Sequence, residues 1–221
     1  MKIGMLTIGQ SPRGDIIPTM TEVLGKECEI VERGALDDLT IKDIKRIEFR
    51  ADDYILVSKM RDGTEIRITK RFVIPLLQER IHELEKLRVK LIVIMCTGKF
   101  PPFDSKGLVV TPQEILKGVI EGSLKKGKLG VVYPAKEQMM GARSEFGREG
   151  IEVYADFLSP YEGKSELNNL ADRLANQSLD LIFLNCFGFG SEVKKAIAKK
   201  TKKPVIQSNA VIARVLRELT T

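Results

Sequence analysis

Short apolar runs alternate with longer amphipathic segments along most of the chain. The apolar runs have the length of β-strands and lie at 2–8, 28–33, 89–96, 128–133, 151–155, 179–186 and 204–208. The segments between them have helical length and spacing. Strands that alternate with helices are typical of α/β proteins with parallel sheets. We therefore predict an α/β fold with mostly parallel sheets flanked by helices.

Two local signals add detail to this pattern. In the segment 53–69, two β-rich runs flank Arg61, Asp62 and Gly63, which predicts a hairpin at a sheet edge. The stretch TPQE at 111–114 has a capping threonine, a proline at the first helical position and a glutamate three residues after the cap. This signal predicts a helix that runs to about residue 124.

The chain also repeats itself. VKLIVIMCTGKF (89–100) aligns with LDLIFLNCFGFG (179–190), and KIGMLTIG (2–9) aligns with KLGVVYPA (128–135). Buried strands resemble one another by chance, but a cysteine in matched position favours a true repeat. We predict two similar lobes, one of residues 1–110 plus 205–221 and the other of residues 111–204.

Composition narrows the classes of partner. The net charge is +6, but lysine and arginine are interleaved with acidic residues, which indicates a solvated surface rather than a nucleic-acid interface. Binding of a nucleic acid through that surface would be strongly salt-dependent.

No apolar run is long enough to cross a membrane and no signal peptide is evident, so we expect a cytoplasmic protein. Three cysteines suggest thiols rather than disulfides. Abundant lysine and glutamate are typical of a thermophilic source.

The candidate chemistry lies where strands end. In parallel sheets the carboxyl ends of strands form the ligand site, and here they are followed by the loops 9–14, 97–99, 187–190 and 208–209. Helix N-termini at such ends bind carboxylates and favour thiolate over thiol, so we expect lowered pKa values for Cys96 and Cys186. A Ser208–Asn209 pair could equally be a simple helix cap.

Two matched cysteines suggest a specific reaction. A single strand-end cysteine is more often core than catalyst, and Cys28 is interpreted as packing. Two cysteines at matched positions in the two repeats could stand on opposite faces of a substrate carbon, where one removes a proton and the other returns one. This chemistry needs no cofactor or metal. The single histidine, His82, lies in a helical pattern, so neither a metal site nor a Cys/His nucleophile is indicated.

Four stretches together resemble a known family. MLTIGQSPRGDIIP, LIVIMCTG, LNCFGFG and PVIQSNAVIARVL are similar to the AroM family, over nearly the whole chain. That family is similar to the aspartate/glutamate racemase superfamily, which includes hydantoin racemases, maleate isomerase and arylmalonate decarboxylase. The resemblance implies two α/β lobes that face each other across a cleft, with one cysteine from each, and relatives that often pair as homodimers.

The resemblance also assigns residues. Cys96 and Cys186 match the catalytic cysteines, and the substrate would be bound by residues of the four loops. These are Gln10, Ser11, Arg13, Thr97, Gly98, Phe187, Gly188, Ser208 and Asn209. The racemases commonly have Cys-Asn-Thr and Cys-Thr-His, where this chain has Cys-Thr-Gly and Cys-Phe-Gly. Phe187 and Phe189 either make an apolar pocket for a larger acid or close the core.

Two functions remain open. The first is a cofactor-independent racemase-like or isomerase-like enzyme that acts at the carbon next to the carboxylate of a small acid. The alternative is a non-catalytic protein that binds a small carboxylate, linked to aromatic amino-acid metabolism. The missing histidine favours the alternative, and exchange of the α-proton with solvent would separate the two.

Overall fold

The computed structural model describes residues 1–25 and 27–220. These residues form two units. The first consists of Met1–Gln113 with the described residues from Leu216 onward, and the second is Glu114–Val215. Each unit contains one four-stranded parallel sheet flanked by helices. The predicted α/β fold with two parallel sheets is confirmed.

The first unit is built on the sheet β2-β1-β5-β6. Its strands are β1 (Lys2–Thr7), β2 (Glu29–Gly34), β5 (Leu91–Ile94) and β6 (Leu108–Val110), and all neighbouring pairs are parallel. Every residue of β5 is buried, as expected for a central strand covered on both faces. Its helices are α1 (Ile17–Leu24), α2 (Ile41–Ile44) and α3 (Lys70–Lys86).

A hairpin lies between α2 and α3. Its strands β3 (Ile55–Lys59) and β4 (Glu65–Thr69) are antiparallel and form a two-stranded sheet of their own. The prediction of a hairpin is therefore right, but the prediction that it extends a sheet edge is wrong. Leu56 and Ile68 pack into the same apolar core as Leu6 of β1, so the hairpin contributes buried side chains instead of ladder hydrogen bonds.

The second unit is built on the sheet β8-β7-β9-β10. Its strands are β7 (Gly127–Tyr133), β8 (Ile151–Phe157), β9 (Leu181–Leu184) and β10 (Val205–Gln207), all parallel. Its helices are α5 (Ala142–Phe146), α6 (Lys164–Ala175) and α7 (Ser191–Thr201), together with most of α4 (Pro112–Ser123) and α8 (Ser208–Glu218) and a 3-10 turn at Lys136–Gly141. Helix α4 begins and ends close to the predicted limits.

The two sheets have the same strand order. When the four strands of each sheet are counted along the chain, the first strand (β1 or β7) lies between the second (β2 or β8) and the third (β5 or β9). The fourth strand (β6 or β10) lies at the edge, next to the third. The register also agrees, since Leu6 pairs with Ile94 in the first sheet and Val132 pairs with Leu184 in the second. This agreement supports the internal repeat predicted from sequence.

Matched glycines show the repeat at the level of packing. A Cβ on Gly4 would lie 3.1 Å from Val89, and a Cβ on Gly130 would lie 2.6 Å from Leu179. Val89 lies two residues before β5, and Leu179 lies two residues before β9. In both units a glycine on the first strand of the sheet leaves room for a side chain that lies just before the neighbouring strand.

The end of the chain differs from its sequence-based assignment. Residues 205–221 were expected in the first lobe. Strand β10 instead pairs with β9 in the second sheet and the chain stays in the second unit up to Val215, whereas the described residues from Leu216 onward belong to the first unit as expected. The amide of Ile182 donates to the Pro204 carbonyl, which fixes this pairing. Strand β6 was not predicted. It has only three residues, and the chain reaches it from β5 through a loop without a helix, so the sequence lacks the usual strand–helix–strand signal.

Candidate active site

The side-chain amide of Gln10 joins three segments of the first unit. Its Nε2 donates to the carbonyls of Leu36 (3.0 Å) and Leu39 (2.8 Å), and its Oε1 accepts from the amide of Arg61 (2.8 Å). Gln10 is buried. Its Nε2 and its Oε1 both form hydrogen bonds with backbone groups, so this side chain stabilises the loop after β1.

Asp37 fastens the same loop. Its carboxylate accepts from the Ser11 amide (2.7 Å), the Ser11 hydroxyl (2.8 Å) and the Gly34 amide (2.7 Å). A Cβ on Gly34 would lie 2.6 Å from the carbonyl oxygen of Gly9, so the close approach of these two strand ends requires glycine. The predicted ligand group Ser11 is thus held in place by a carboxylate that sequence reasoning missed.

Arg13 is a buried ion-pair partner. Its Nε and Nη2 donate to the two carboxylate oxygens of Asp15 (2.9 and 2.8 Å), and its Nη1 donates to Thr7 (2.8 Å) and Ser58 (3.2 Å). Burial alone would raise the pKa of Asp15, but the hydrogen bonds and charge of Arg13, with the charge of Lys59, hold that pKa below its ordinary value. Arg13 was predicted to bind the substrate, but its guanidinium makes a bidentate contact with the protein's own Asp15 carboxylate.

Cys96 follows β5 by two residues and is 9% exposed. Burial raises the pKa of its thiol to about 11. Hydrogen bonds from the amides of Gly98 and Thr97 and the positive charges of Arg13 and Lys70 oppose this rise but do not overcome it. At neutral pH the side chain is therefore a neutral thiol.

This result corrects the expectation of a lowered pKa for Cys96. The expectation relied on a helix N-terminus directly after the strand. The chain instead continues through an irregular loop to β6, and the next helix, α4, begins only at Pro112. Without the helix N-terminus, desolvation of the thiolate dominates.

Cys186 follows β9 by two residues and is half-buried. The loop after it leads directly into α7. In this loop Phe187 is 2% exposed, and Phe189 is fully buried within the apolar core of the second unit. Phe189 is therefore a core residue, which agrees with the interpretation that one of the two phenylalanines closes the core.

Two side-chain amides from the β10–α8 junction hold the Cys186 loop. Gln207 Nε2 donates to the carbonyl of Phe189 (2.9 Å), and Asn209 Nδ2 donates to the carbonyls of Phe187 (2.8 Å) and Phe189 (3.1 Å). Asn209 was a predicted ligand group, but its Nδ2 is used by the loop. Gln207 was not singled out from the sequence, where its only signal is its position at the end of a strand.

Two polar atoms at this junction have no hydrogen-bond partner among the described residues. They are the hydroxyl oxygen of Ser208 and Oδ1 of Asn209, and both residues are fully buried. Most buried polar groups are hydrogen-bonded, so an unsatisfied pair at a strand end is a notable feature of the second unit.

The two cysteines have the same local geometry. In each unit the amide of the glycine two residues on donates to the cysteine sulfur, Gly98 to Cys96 and Gly188 to Cys186, and both distances are 3.4 Å. Both cysteines also follow the third strand of their sheet at the same offset. The matched position predicted from sequence thus extends to the hydrogen bond made by each sulfur.

The remaining candidate features lie elsewhere. A cavity of about 830 Å³ lies at the amino ends of β7 and β8, lined by residues that include Lys128, Glu152 and Asp180. His82 is on the exposed face of α3, where it contacts Gln78. Within residues 1–25 and 27–220, no group of His, Cys, Asp and Glu side chains could hold a metal ion. No described helix is both long and apolar enough to cross a membrane.

Comparison with known proteins identifies the family. The family described as AroM protein matches residues 3–220. The chain belongs to the AroM family. No curated protein matches this AroM-family chain by sequence.

Solved structures establish the fold of the AroM-family chain. The glutamate racemase of Aquifex pyrophilus is similar at a TM-score of 0.61 and 17% identity, covering 99% of this chain and 84% of the racemase. The aspartate racemase of Picrophilus torridus gives 0.60 and 14%, covering 99% and 93%. Arylmalonate decarboxylase gives 0.59 and 15%, covering 98% and 92%. Likeness at these identities defines an aspartate/glutamate racemase fold, and the reaction must be argued from the site.

Proposed function

We propose that this protein is a cofactor-independent enzyme that moves a proton at the carbon next to the carboxylate of a small acid, with Cys96 and Cys186 as the proton-transfer groups. The observation that supports this is their equivalence. In two sheets of the same topology, a cysteine lies two residues beyond the matched strand, and its sulfur accepts a hydrogen bond from a glycine amide at 3.4 Å.

The proposed reaction balances without any other reactant. One sulfur, as a thiolate, takes the α-proton, and the electron pair of the broken C–H bond remains on the substrate as a carbanion delocalised into the carboxylate. The other sulfur, as a thiol, gives its proton to the opposite face of that carbon. The enzyme ends with thiol and thiolate exchanged, and the substrate ends with inverted configuration.

The pKa of Cys96 suggests how the roles are divided. Because burial raises that pKa to about 11, Cys96 enters the reaction as the thiol that donates a proton. Cys186 is then the residue that removes one. In the opposite direction, Cys96 must act as a thiolate, which the positive charges of Arg13 and Lys70 favour.

The carboxylate of the substrate needs its own binding group. Helix α8 begins at Ser208, and a helix N-terminus favours an anion. The Ser208 hydroxyl has no partner among the described residues, so its O–H is available to donate to a carboxylate. We propose Ser208 and Thr97 as ligand groups, with Gln10, Arg13 and Asn209 as the residues that shape the loops.

Proton exchange in heavy water tests this proposal. The protein is incubated in D₂O with a panel of amino acids, hydantoins and arylmalonates, and the α-proton signal is followed by NMR. We expect at least one α-proton to be lost in the presence of protein. Binding of an acid without loss of any α-proton would contradict catalysis.

A second requirement concerns the two sulfurs. If each approaches the reacting carbon to about 3.5 Å, the sulfurs must come within about 7 Å of each other. In a Cys28→Ser variant, a bis-alkylating reagent with a four-carbon chain should therefore link residues 91–99 to residues 174–194 in a tryptic digest. Mono-adducts alone would contradict a shared substrate carbon.

A non-catalytic carboxylate-binding protein is the second candidate. It is favoured by the neutral state of Cys96 and by the use of Gln10 and Arg13 for internal hydrogen bonds. On this proposal an acid of the panel stabilises the protein against heat, and its α-proton signal stays constant.

A further inference from the structure

The peptide group between Phe187 and Gly188 is hydrogen-bonded at both ends. Its N–H, from Gly188, donates to the sulfur of Cys186 at 3.4 Å. Its carbonyl, from Phe187, accepts from Asn209 Nδ2 at 2.8 Å. A single peptide plane therefore connects a buried side-chain amide to a cysteine sulfur.

The geometry of the peptide group makes these two bonds interdependent. A trans peptide is planar, and its C=O and N–H point in opposite directions. Fixing the carbonyl on Asn209 therefore fixes the direction of the N–H toward the sulfur. A donor on the carbonyl also polarises the amide, and hydrogen bonds in such chains strengthen one another by roughly 10–30%.

The loop has little freedom to adopt another geometry. A Cβ on Gly188 would lie 2.8 Å from Pro160, so the chain passes Pro160 at a distance that only glycine allows. Asn209 is fully buried, and it bonds Phe189 as well as Phe187. The Asn209 side chain thus reaches the loop on both sides of Gly188.

Gln207 provides an internal comparison. It is a buried side-chain amide on the same segment as Asn209, and it also donates to the Phe189 carbonyl. Its bond anchors the loop two peptide groups further along the chain, at the peptide between Phe189 and Gly190. Asn209 and Gln207 therefore share burial and a loop contact, but only Asn209 is bonded to the peptide group that donates to Cys186.

We propose that Asn209 is a positioning residue for Cys186, which orients and polarises the Phe187–Gly188 peptide so that its N–H stabilises the thiolate form of the sulfur. The catalytic meaning of this role, a Cys186 that is ready to remove a proton, rests on the proposed function. The structural role does not, because it concerns the reactivity of the thiol alone.

The test measures thiol reactivity and needs no substrate. Wild type, Asn209→Leu and Gln207→Leu are alkylated with iodoacetamide at a series of pH values, and the rate is read by mass spectrometry on the tryptic peptide 174–194, which contains Cys186. In Asn209→Leu we expect the pH of half-maximal rate to rise by about half a unit, or about threefold less thiolate at neutral pH. In Gln207→Leu we expect no such rise.

The outcomes separate positioning from general loosening of the loop. An equal rise in both variants, or no rise in Asn209→Leu, overturns the proposal. If Asn209→Leu does not fold, Asn209→Ser replaces it, because serine keeps a small polar group and must show the same rise. An altered alkylation profile without any α-proton exchange in wild type would support the role of Asn209 and reject the enzyme.

Discussion

The buried thiol of Cys96 gives the sharpest physical prediction. Its pKa is raised from an ordinary value of 9.0 to about 11 because the thiolate is desolvated. Two units correspond to about 100-fold less thiolate at pH 8 than in the unfolded chain. Since alkylating reagents attack the thiolate, the rate at Cys96 should reach half its maximum near pH 11 in the folded protein and near pH 9 in the denatured protein.

Each cysteine can be followed separately in one experiment. Trypsin releases Cys28 in residues 27–33, Cys96 in residues 91–99 and Cys186 in residues 174–194. Iodoacetamide alkylation from pH 7 to pH 11.5, with and without guanidinium, then gives three rate profiles from one sample. If Cys96 shows the same midpoint in the folded and the denatured protein, the argument from desolvation fails.

The same shift makes a prediction for stability. As the pH rises, the unfolded chain loses the Cys96 proton near pH 9, whereas the folded protein keeps it until about pH 11. Ionisation therefore favours the unfolded state between these values, and about 2 kcal/mol of stability, present below pH 9, is lost by pH 11. In urea unfolding, the difference in stability between wild type and Cys96→Ala should change by this amount between pH 8 and pH 11. A constant difference would contradict the shift.

Three other predictions concern the loops and the repeat. Gln10→Leu should lower the free energy of unfolding by about 2–4 kcal/mol in urea, because it removes the hydrogen-bond partner of the buried Leu36 carbonyl and of the part-buried Leu39 carbonyl and Arg61 amide. The lowered pKa of Asp15 contributes stability above pH 4 that is lost as the pH falls through its folded value, so Asp15→Asn should flatten the acid limb of the stability profile between pH 5 and pH 2; an unchanged limb would exclude this contribution. Gly130→Ala should cost about 1–3 kcal/mol because its Cβ meets Leu179 at 2.6 Å, whereas Gly118→Ala, where a Cβ meets nothing within 4 Å, should not destabilise.

Much of the fold follows from patterns within short segments. The runs around Ile92 and Ile182 are continuous and apolar because both faces of a central parallel strand are covered, and this signal is visible in sequence. The matched positions of Cys96 and Cys186 follow from the same signal, since each cysteine lies two residues beyond its strand. The local sequence pattern therefore predicts both the central strands and the positions of the two cysteines after them.

Other features depend on contacts that no local pattern contains. The role of Gln10 is set by carbonyls 26 and 29 residues away and an amide 51 residues away. The pKa of Cys96 depends on how completely the thiol is buried and on the absence of a helix after β5. The contact of Asn209 with Phe187 spans 22 residues. In each case the tertiary fold decides whether a polar side chain shapes the protein or meets a ligand.

Exchange of a substrate α-proton in single-thiol variants tests the central claim most directly. With an acid that wild type exchanges in D₂O, we compare Cys96→Ser, Cys186→Ser and the control Cys28→Ser by the rate of α-proton loss and by inversion of configuration. We predict that Cys28→Ser behaves like wild type and that neither of the other two inverts the substrate. Inversion at an undiminished rate in Cys96→Ser or Cys186→Ser would contradict proton transfer by paired thiols.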